Sequence, residues 1–285
     1  MIEIPDFSEA FYYGRFADID YSMLKRPIII KLHGTFSYFS TELNNYVEDV
    51  RIYDLEKKLF NNATGVLAIS NQVKRVSEEL FNIYGLIEKI PNGINLPERV
   101  EYQGKNSKTV VFAGTLTEKK GVFSLIKAWD IIHAQNPEYQ LHLYGKGVEY
   151  FIKQLNFNIP SSVQIKGVVP FHDLIEIYSH SACAIFPSYS ESMGMAPVEA
   201  MSVGCPTIFT RRSTGPEIIE DGVDGKLVDP DNIMEIAETI TNILTYREFA
   251  IELGINGIKK VKTLFDIRIV ADRHIEYYKQ FLKKR

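Results

Sequence analysis

The sequence predicts an α/β protein with two parallel sheets and flanking helices, and three observations carry that prediction. Short apolar runs rich in β-branched residues alternate with longer segments of helical period. A polar stretch with no apolar period, 101–108 (EYQGKNSK), follows the Pro91-Asn92-Gly93 break and divides the chain. Several expected strands run into a glycine turn and then a helix, the junction at which doubly wound sheets bind ligands.

In the first part, strands are expected at 28–32 (IIIKL), 66–69 (VLAI) and 88–90, with helices at 46–60 and 71–84. Ser70 suits the N-cap of the second helix, because its hydroxyl can accept an amide that has no partner inside the helix. Two or three strands are fewer than a doubly wound half uses, so this first domain reads as incomplete at its front. Beyond the polar stretch the alternation becomes regular. Strands are expected at 109–112, 140–144, 163–165, 183–186, 207–209 and 226–228, and helices at 123–132, 148–155, 171–178, 197–203, 216–220 and 232–245. That set makes a complete Rossmann-like domain. Helices at 247–263 and 267–284 close the chain, the second amphipathic through Val270, His274, Tyr277, Tyr278 and Phe281. The domains are therefore drawn at 1–103 and 104–265, with helix 266–285 packing back on the first.

Composition narrows the function. A length of 285 residues, against about 150 per domain, allows two modest domains with real cores. Hydrophobic residues at 45% and charged ones at 24% exclude disorder, collagen and coiled coil. A net charge of −4, spread along the chain, is unlike a nucleic-acid-binding surface. Cys183 and Cys205 sit in apolar runs without metal-ligand or redox spacing and read as buried thiols. The six histidines show no HExxH or triad spacing, so no metal centre and no hydrolase is expected. With no leader pattern and no span-length apolar stretch, a cytoplasmic location is expected. The pairs Lys25-Arg26, Lys57-Lys58 and Lys74-Arg75 and the tail FLKKR read either as solvated helix faces or as peripheral contacts with anionic lipid at the inner face of the membrane.

The chemistry concentrates at three strand ends. The run 187–201 (PSYSESMGMAPVEAM) follows a buried strand and opens a helix, with Pro197 at the first helical position. Gly194 would let the backbone approach a ligand closely, and the amides of Met195 and Ala196 would face an anion. Glu191 and Glu199 bracket those amides with seven residues between them, and each carboxylate could accept hydrogen bonds from a diol. Equally, Glu199 reads as a first-turn acid favoured by the helix dipole and Glu191 as a solvated loop acid. The run 110–121 repeats the strand, glycine turn and helix, with Gly114 and Thr115 at the turn and Lys119 and Lys120 at its end. A lysine there could reach a diphosphate, and a surface lysine pair is the alternative. Gly145-Lys146-Gly147 reads as a tight turn. His33 and Gly34 follow strand 28–32, placing an imidazole at the ligand-binding end of a sheet or simply on the surface.

Taken together and in order, IIIKLHGTF, GVLAISNQV, IPNGIN, FAGTLTEKKG, VVPFHDLIEIYSHS, PSYSESMGMAPVEAMSVGCP and GPEIIEDGVDGKLVDP resemble the retaining glycosyltransferases of family four, which have the GT-B fold. The resemblance implies an enzyme that moves a hexosyl unit from a nucleotide-diphosphate sugar to a glycan, lipid-linked or small-molecule acceptor, without metal or other cofactor. It implies that Glu199 binds the donor ribose, that Glu191 and the backbone of Met193, Gly194, Met195 and Ala196 hold hexose and phosphates, and that Lys120 neutralises the diphosphate at the Gly114-Thr115 turn. It further places His33 near the anomeric centre and the base against the backbone around Val169. Thr115 stands where the family usually has arginine, a gap that Lys119 or Arg211 would fill. IEIPDFSEAFYYGR resembles the family's mid-domain stretch, so the acceptor half is expected to be shortened. A binding subunit, completed by a partner chain, or an inactive remnant is the alternative reading.

Overall fold

The computed structural model describes residues 1–6, 25–42, 50–98 and 102–282. The expectations for residues 7–15, for the start of the helix at Tyr46, for Glu101 and for the tail 283–285 lie outside the described residues. The chain divides into two units, Met1–Gly93 with Arg268–Arg285, and Ile94–Ile267. The division falls at Gly93 rather than at 103, because Ile94 is tied into the second unit. Its amide donates to the Phe265 carbonyl at 2.8 Å, and its own carbonyl accepts from Ile267 at 2.9 Å.

Among the described residues of the first unit four parallel strands lie in chain order: β1 (Ile2–Pro5), β2 (Ile28–Leu32), β3 (Gly65–Ala68) and β4 (Ile87–Lys89). Sequence pattern predicts two or three strands here and does not reveal β1. It is a four-residue edge strand that ends at Pro5 and alternates between half-buried and exposed residues, so it lacks the continuous apolar run of β2 and β3. Helices α1 (Phe36–Glu42), α2 (Val50–Asn61) and α3 (Asn71–Phe81) lie between the strands in sequence. The Ser70 hydroxyl caps α3 by accepting the Val73 amide, and Asn82 ends it in the left-handed conformation.

The second unit holds six parallel strands: β5 (Thr109–Ala113), β6 (Gln140–Tyr144), β7 (Val163–Gly167), β8 (Cys183–Phe186), β9 (Thr207–Thr210) and β10 (Lys226–Val228). Their spatial order is β10-β9-β8-β5-β6-β7. Their helices are α4 (Val122–Gln135), α5 (Val148–Gln154), α6 (Phe171–His180), α7 (Met195–Ser202), α8 (Gly215–Ile218), α9 (Ile233–Thr245) and α10 (Arg247–Leu264). The core joins Val110 and Phe112 of β5 to Leu125, Trp129 and Ile132 of α4 and to Ile236 and Ile240 of α9. Trp129 is fully buried and donates its indole N–H to the Ser162 hydroxyl at 3.0 Å, which removes the cost of burying that donor. Cys183 and Cys205 are buried free thiols.

The last helix, α11 (Ile267–Leu282), packs on the sheet of the first unit, where Val270 and Tyr277 join Ile29, Leu67 and Ile90 in one cluster. The Tyr277 hydroxyl donates to the Val66 carbonyl at 3.3 Å. This contact explains Gly65 at the head of β3: a Cβ there would lie 2.4 Å from the Tyr277 hydroxyl and 2.7 Å from the Phe281 ring. Among the described residues no helix is long and apolar enough to cross a membrane.

Gly65→Ala is therefore expected to destabilise the protein by ~1–3 kcal/mol in chemical denaturation, since the added methyl forces α11 off the sheet. Adding Tyr277→Phe, which removes the crowded oxygen, recovers part of that loss.

Candidate functional site

The strand order of the second unit reverses between β5 and β8: β6 and β7 continue to one side, β9 and β10 to the other. Loops leaving the carboxyl ends of β5 and β8 diverge at such a point and open a crevice. Three neighbouring strands end there in glycine turns that interlock. The Gly114 amide donates to the Tyr144 carbonyl, Leu116 to Lys146 and Gly145 to Gly167, at 2.8–2.9 Å. Gly145 has φ +137° and no room for a side chain, because a Cβ would lie 1.9 Å from the Gly114 carbonyl oxygen. A cavity of about 410 Å³ opens over these turns, lined by Gly114, Thr115, Tyr144, Val169, Leu174 and Ala196 among others. Four of the residues that the sequence singles out (Gly114, Thr115, Val169 and Ala196) thus line one cavity.

The other side of the crevice is the 187–194 loop and the start of α7. The helix begins at Met195 with Gly194 before it, so Pro197 is its third residue and not its first. The third position is inexpensive for proline, since none of the first four helical amides has a partner within the helix. This start makes Met195 and Ala196 the first two such amides, directly after Gly194, whose φ of +86° and 2.6 Å Cβ approach to the Phe209 ring require glycine.

Lys120 closes a single-turn 3₁₀ helix, Glu118–Lys120, that is sewn to the loop. The Tyr189 amide donates to the Lys119 carbonyl at 2.8 Å. The Lys120 ammonium then meets the Glu191 carboxylate at 2.6 Å, and the Ser188 hydroxyl donates to the same oxygen at 2.8 Å. Both charged side chains are largely withdrawn from solvent. The structure therefore pairs two site residues with each other, a contact that their separation in sequence conceals. Ser213 also touches Glu191, donating its hydroxyl to the Glu191 carbonyl at 2.7 Å and accepting its amide at 3.2 Å. Thr214 beside it donates to the Met193 carbonyl at 3.2 Å. Sequence reasoning does not find Ser188, Ser213 and Thr214, since a serine or threonine in a loop carries no periodic signal.

Glu199 sits one turn beyond Ala196 on α7 and shares its face. Its carboxylate is half-buried, burial raises its pKa, and it accepts no hydrogen bond from the side chains or amides of the described residues. Arg211 is engaged with Glu235 at 2.6 Å and with the Leu227 carbonyl at 2.9 Å. Arg212 is held by Asp229 and Asp231 and lies over the Tyr189 ring.

In the first unit, His33 follows β2 at the head of a turn gripped by two buried carboxylates. Asp6 accepts the amides of His33 and Gly34 at 2.9 and 3.0 Å, and Glu56 accepts those of Phe36 and Ser37 at 2.8 and 3.4 Å. Burial pushes Asp6 up to about 7, against the lowering effect of the two amides, and the Glu56 charge adds to the rise. Burial also holds the His33 imidazole below its ordinary pKa, as does the nearby Lys31 ammonium, so the ring is neutral at pH 7.

The model of the family described as glycosyl transferases group 1 matches residues 98–260. An uncharacterised glycosyltransferase of Methanocaldococcus jannaschii is 26% identical over 239 residues, 82% of this chain and 63% of its own length. The capsular polysaccharide biosynthesis glycosyltransferase CapM of Staphylococcus aureus is 25% identical over 253 residues, 82% of this chain and 66% of its own. The chain thus spans just under two thirds of the length of each. The crystal structure of Anabaena HepE in complex with UDP superposes with a TM-score of 0.81 at 20% identity, covering 98% of this chain and 79% of that one. The two parallel sheets with flanking helices are the GT-B architecture.

The sign of the Asp6 effect follows from its raised folded-state pKa. Between pH 3.8 and about 7 the folded form holds the proton more tightly, so this stabilisation is present at acid pH and is lost as pH rises through 7. In thermal melts across that range, wild-type stability relative to Asp6→Asn is expected to decline as pH rises.

Proposed function

Because this chain belongs to the glycosyl transferases group 1 family, we propose that it is a hexosyltransferase whose second unit binds a nucleotide-diphosphate sugar. The observation that carries this reading is the meeting, at the reversal of the sheet, of a glycine turn, two amides at a helix start and the Lys120–Glu191 pair, with Glu199 one turn along. Amides without partners and a lysine suit a diphosphate, and a half-buried carboxylate with no donor in the fold suits the two hydroxyls of a ribose. The UDP in the HepE complex agrees with a nucleotide donor.

In this reading the base lies against the Val169 backbone and the ribose on Glu199. The diphosphate sits before Gly194, Met195 and Ala196 with Lys120, and the hexose lies beside Glu191 and Met193. The bond from the anomeric carbon to the diphosphate oxygen breaks as positive charge develops on the sugar. Negative charge grows on the leaving diphosphate, where Lys120 and the helix amides stabilise it. The acceptor hydroxyl attacks from the same face and passes its proton to the departing phosphate oxygen, which gives retention without a metal. The resemblance of the His33-Gly34 strand end to its family counterpart supports a part for His33 in the transfer step. The acceptor is a glycan, a lipid-linked sugar or a small molecule.

The test is a set of thermal melts with UDP, GDP, ADP and their common sugar conjugates, in wild type, Glu199→Ala and Lys120→Ala. One base is expected to raise the wild-type midpoint selectively. Glu199→Ala should weaken nucleoside monophosphate and diphosphate alike, by about 1.5–3 kcal/mol for hydrogen bonds to a charged acceptor. Lys120→Ala should weaken the diphosphate more than the monophosphate, and equal losses would move the phosphate site elsewhere.

A further inference from the structure

Ser213 is one of three non-glycine residues among those described with a left-handed backbone, at φ 54°. Serine adopts that conformation at a cost, so such a residue persists only where its surroundings fix it. Here they do. The Thr210 hydroxyl accepts the Arg212 amide at 3.1 Å, and Gly215 leaves no space for a Cβ, which would lie 1.6 Å from the Thr210 carbonyl oxygen. Arg212 is anchored to Asp229 and Asp231 at 2.7 and 2.5 Å, and the adjoining Thr214 is buried. From this rigid loop the Ser213 hydroxyl reaches both backbone polar groups of Glu191, donating to one and accepting from the other.

The 191–194 loop has no regular structure, so its backbone groups need partners from elsewhere. Ser213 supplies both for a single residue, the one whose carboxylate carries Lys120 and Ser188. We infer that Ser213 is a positioning residue, acting through Glu191 to hold its carboxylate where it meets Lys120 and the bound donor. The inference rests on the proposed donor site and adds to it a residue outside the Glu191–Glu199 segment.

Variants at position 213 separate the hydroxyl from the backbone conformation. Ser213→Ala loses only the hydroxyl and keeps the Cβ whose left-handed cost serine already bears, whereas Ser213→Gly loses the hydroxyl and removes that cost. The probe is whichever of UDP, GDP and ADP the wild-type chain binds, with its sugar conjugate, measured by calorimetry in the full chain beside thermal melts. Ser213→Gly is expected to keep a cooperative melt and to bind the sugar conjugate about fivefold to tenfold more weakly. In a Glu191→Ala background the same change should cost less than about twofold, since the carboxylate that it positions is gone. Donor affinity in Ser213→Gly equal to wild type would overturn the inference while leaving the donor site standing. An equal loss with and without Glu191 would also overturn it, by showing that the hydroxyl merely shapes the loop. A wild-type chain that binds no nucleoside diphosphate would remove the donor site and this inference together, and Glu199→Ala serves as the control that tells these cases apart.

Discussion

The constraint on which the second unit depends is the reversal of its sheet between β5 and β8. Parallel strands are joined by long crossovers, and those that follow β5 and β8 wind in opposite directions, so the loops at this one place cannot cover one another. The crevice that results is floored by backbone, and the glycines follow from that. Gly121 shows this as clearly as Gly145, since a Cβ on it would lie 1.8 Å from the Pro187 carbonyl oxygen. Gly121 brings the turn after β5 against the loop after β8 at backbone distance, which is what sets Lys120 against Glu191, and Gly145 brings the turns after β5 and β6 together in the same way. A side chain at Gly121 would separate the lysine from its carboxylate before it disturbed the core.

Charge at the crevice is balanced internally. Lys120 has Glu191, Arg211 has Glu235, and Arg212 has Asp229 and Asp231. In the proposed donor site a diphosphate would compete with Glu191 for Lys120. The amides of Met195 and Ala196 face no such competitor, because the start of a helix has no carbonyl one turn earlier to satisfy them. In the proposed site, selection of an anion would rest on geometry more than on net charge, in keeping with a chain whose overall charge is −4.

How much of this was legible in the sequence divides along physical lines. The inner strands β5 and β8 of the second unit are legible because they are buried on both faces, which writes continuous apolar runs such as VVFA and CAIF. Ser70 was legible because capping is local chemistry. An edge strand such as β1 is half-exposed and too short to show a period, and α1, at seven residues, is no better marked. Gly114, Thr115 and Ala196 stand at the end of a strand or the start of a helix, where sequence pattern and position coincide, and Val169 is placed only by the family resemblance; the four line one cavity. Ser213 was not legible, since its left-handed turn is fixed by Arg212, Gly215 and the strand before it, and only the folded loop assembles those partners.

The carboxylates sort by what they accept. Asp6 and Glu56 accept pairs of backbone amides, and Asp224 accepts the Glu220 amide together with the Lys260 ammonium. In each case an acid ends a turn by satisfying main chain that would otherwise be buried unpaired, which is a structural use. Glu191 instead meets the side chains of Lys120 and Ser188, both of which can rotate away from it, and Glu199 is half-buried with no donor among the described residues. A carboxylate withdrawn from water without a fixed donor carries a desolvation cost that a ligand hydroxyl can relieve. Spacing alone leaves both readings of Glu191 and Glu199 open, and it is this absence of a donor that makes Glu199 the stronger candidate for the proposed ribose contact.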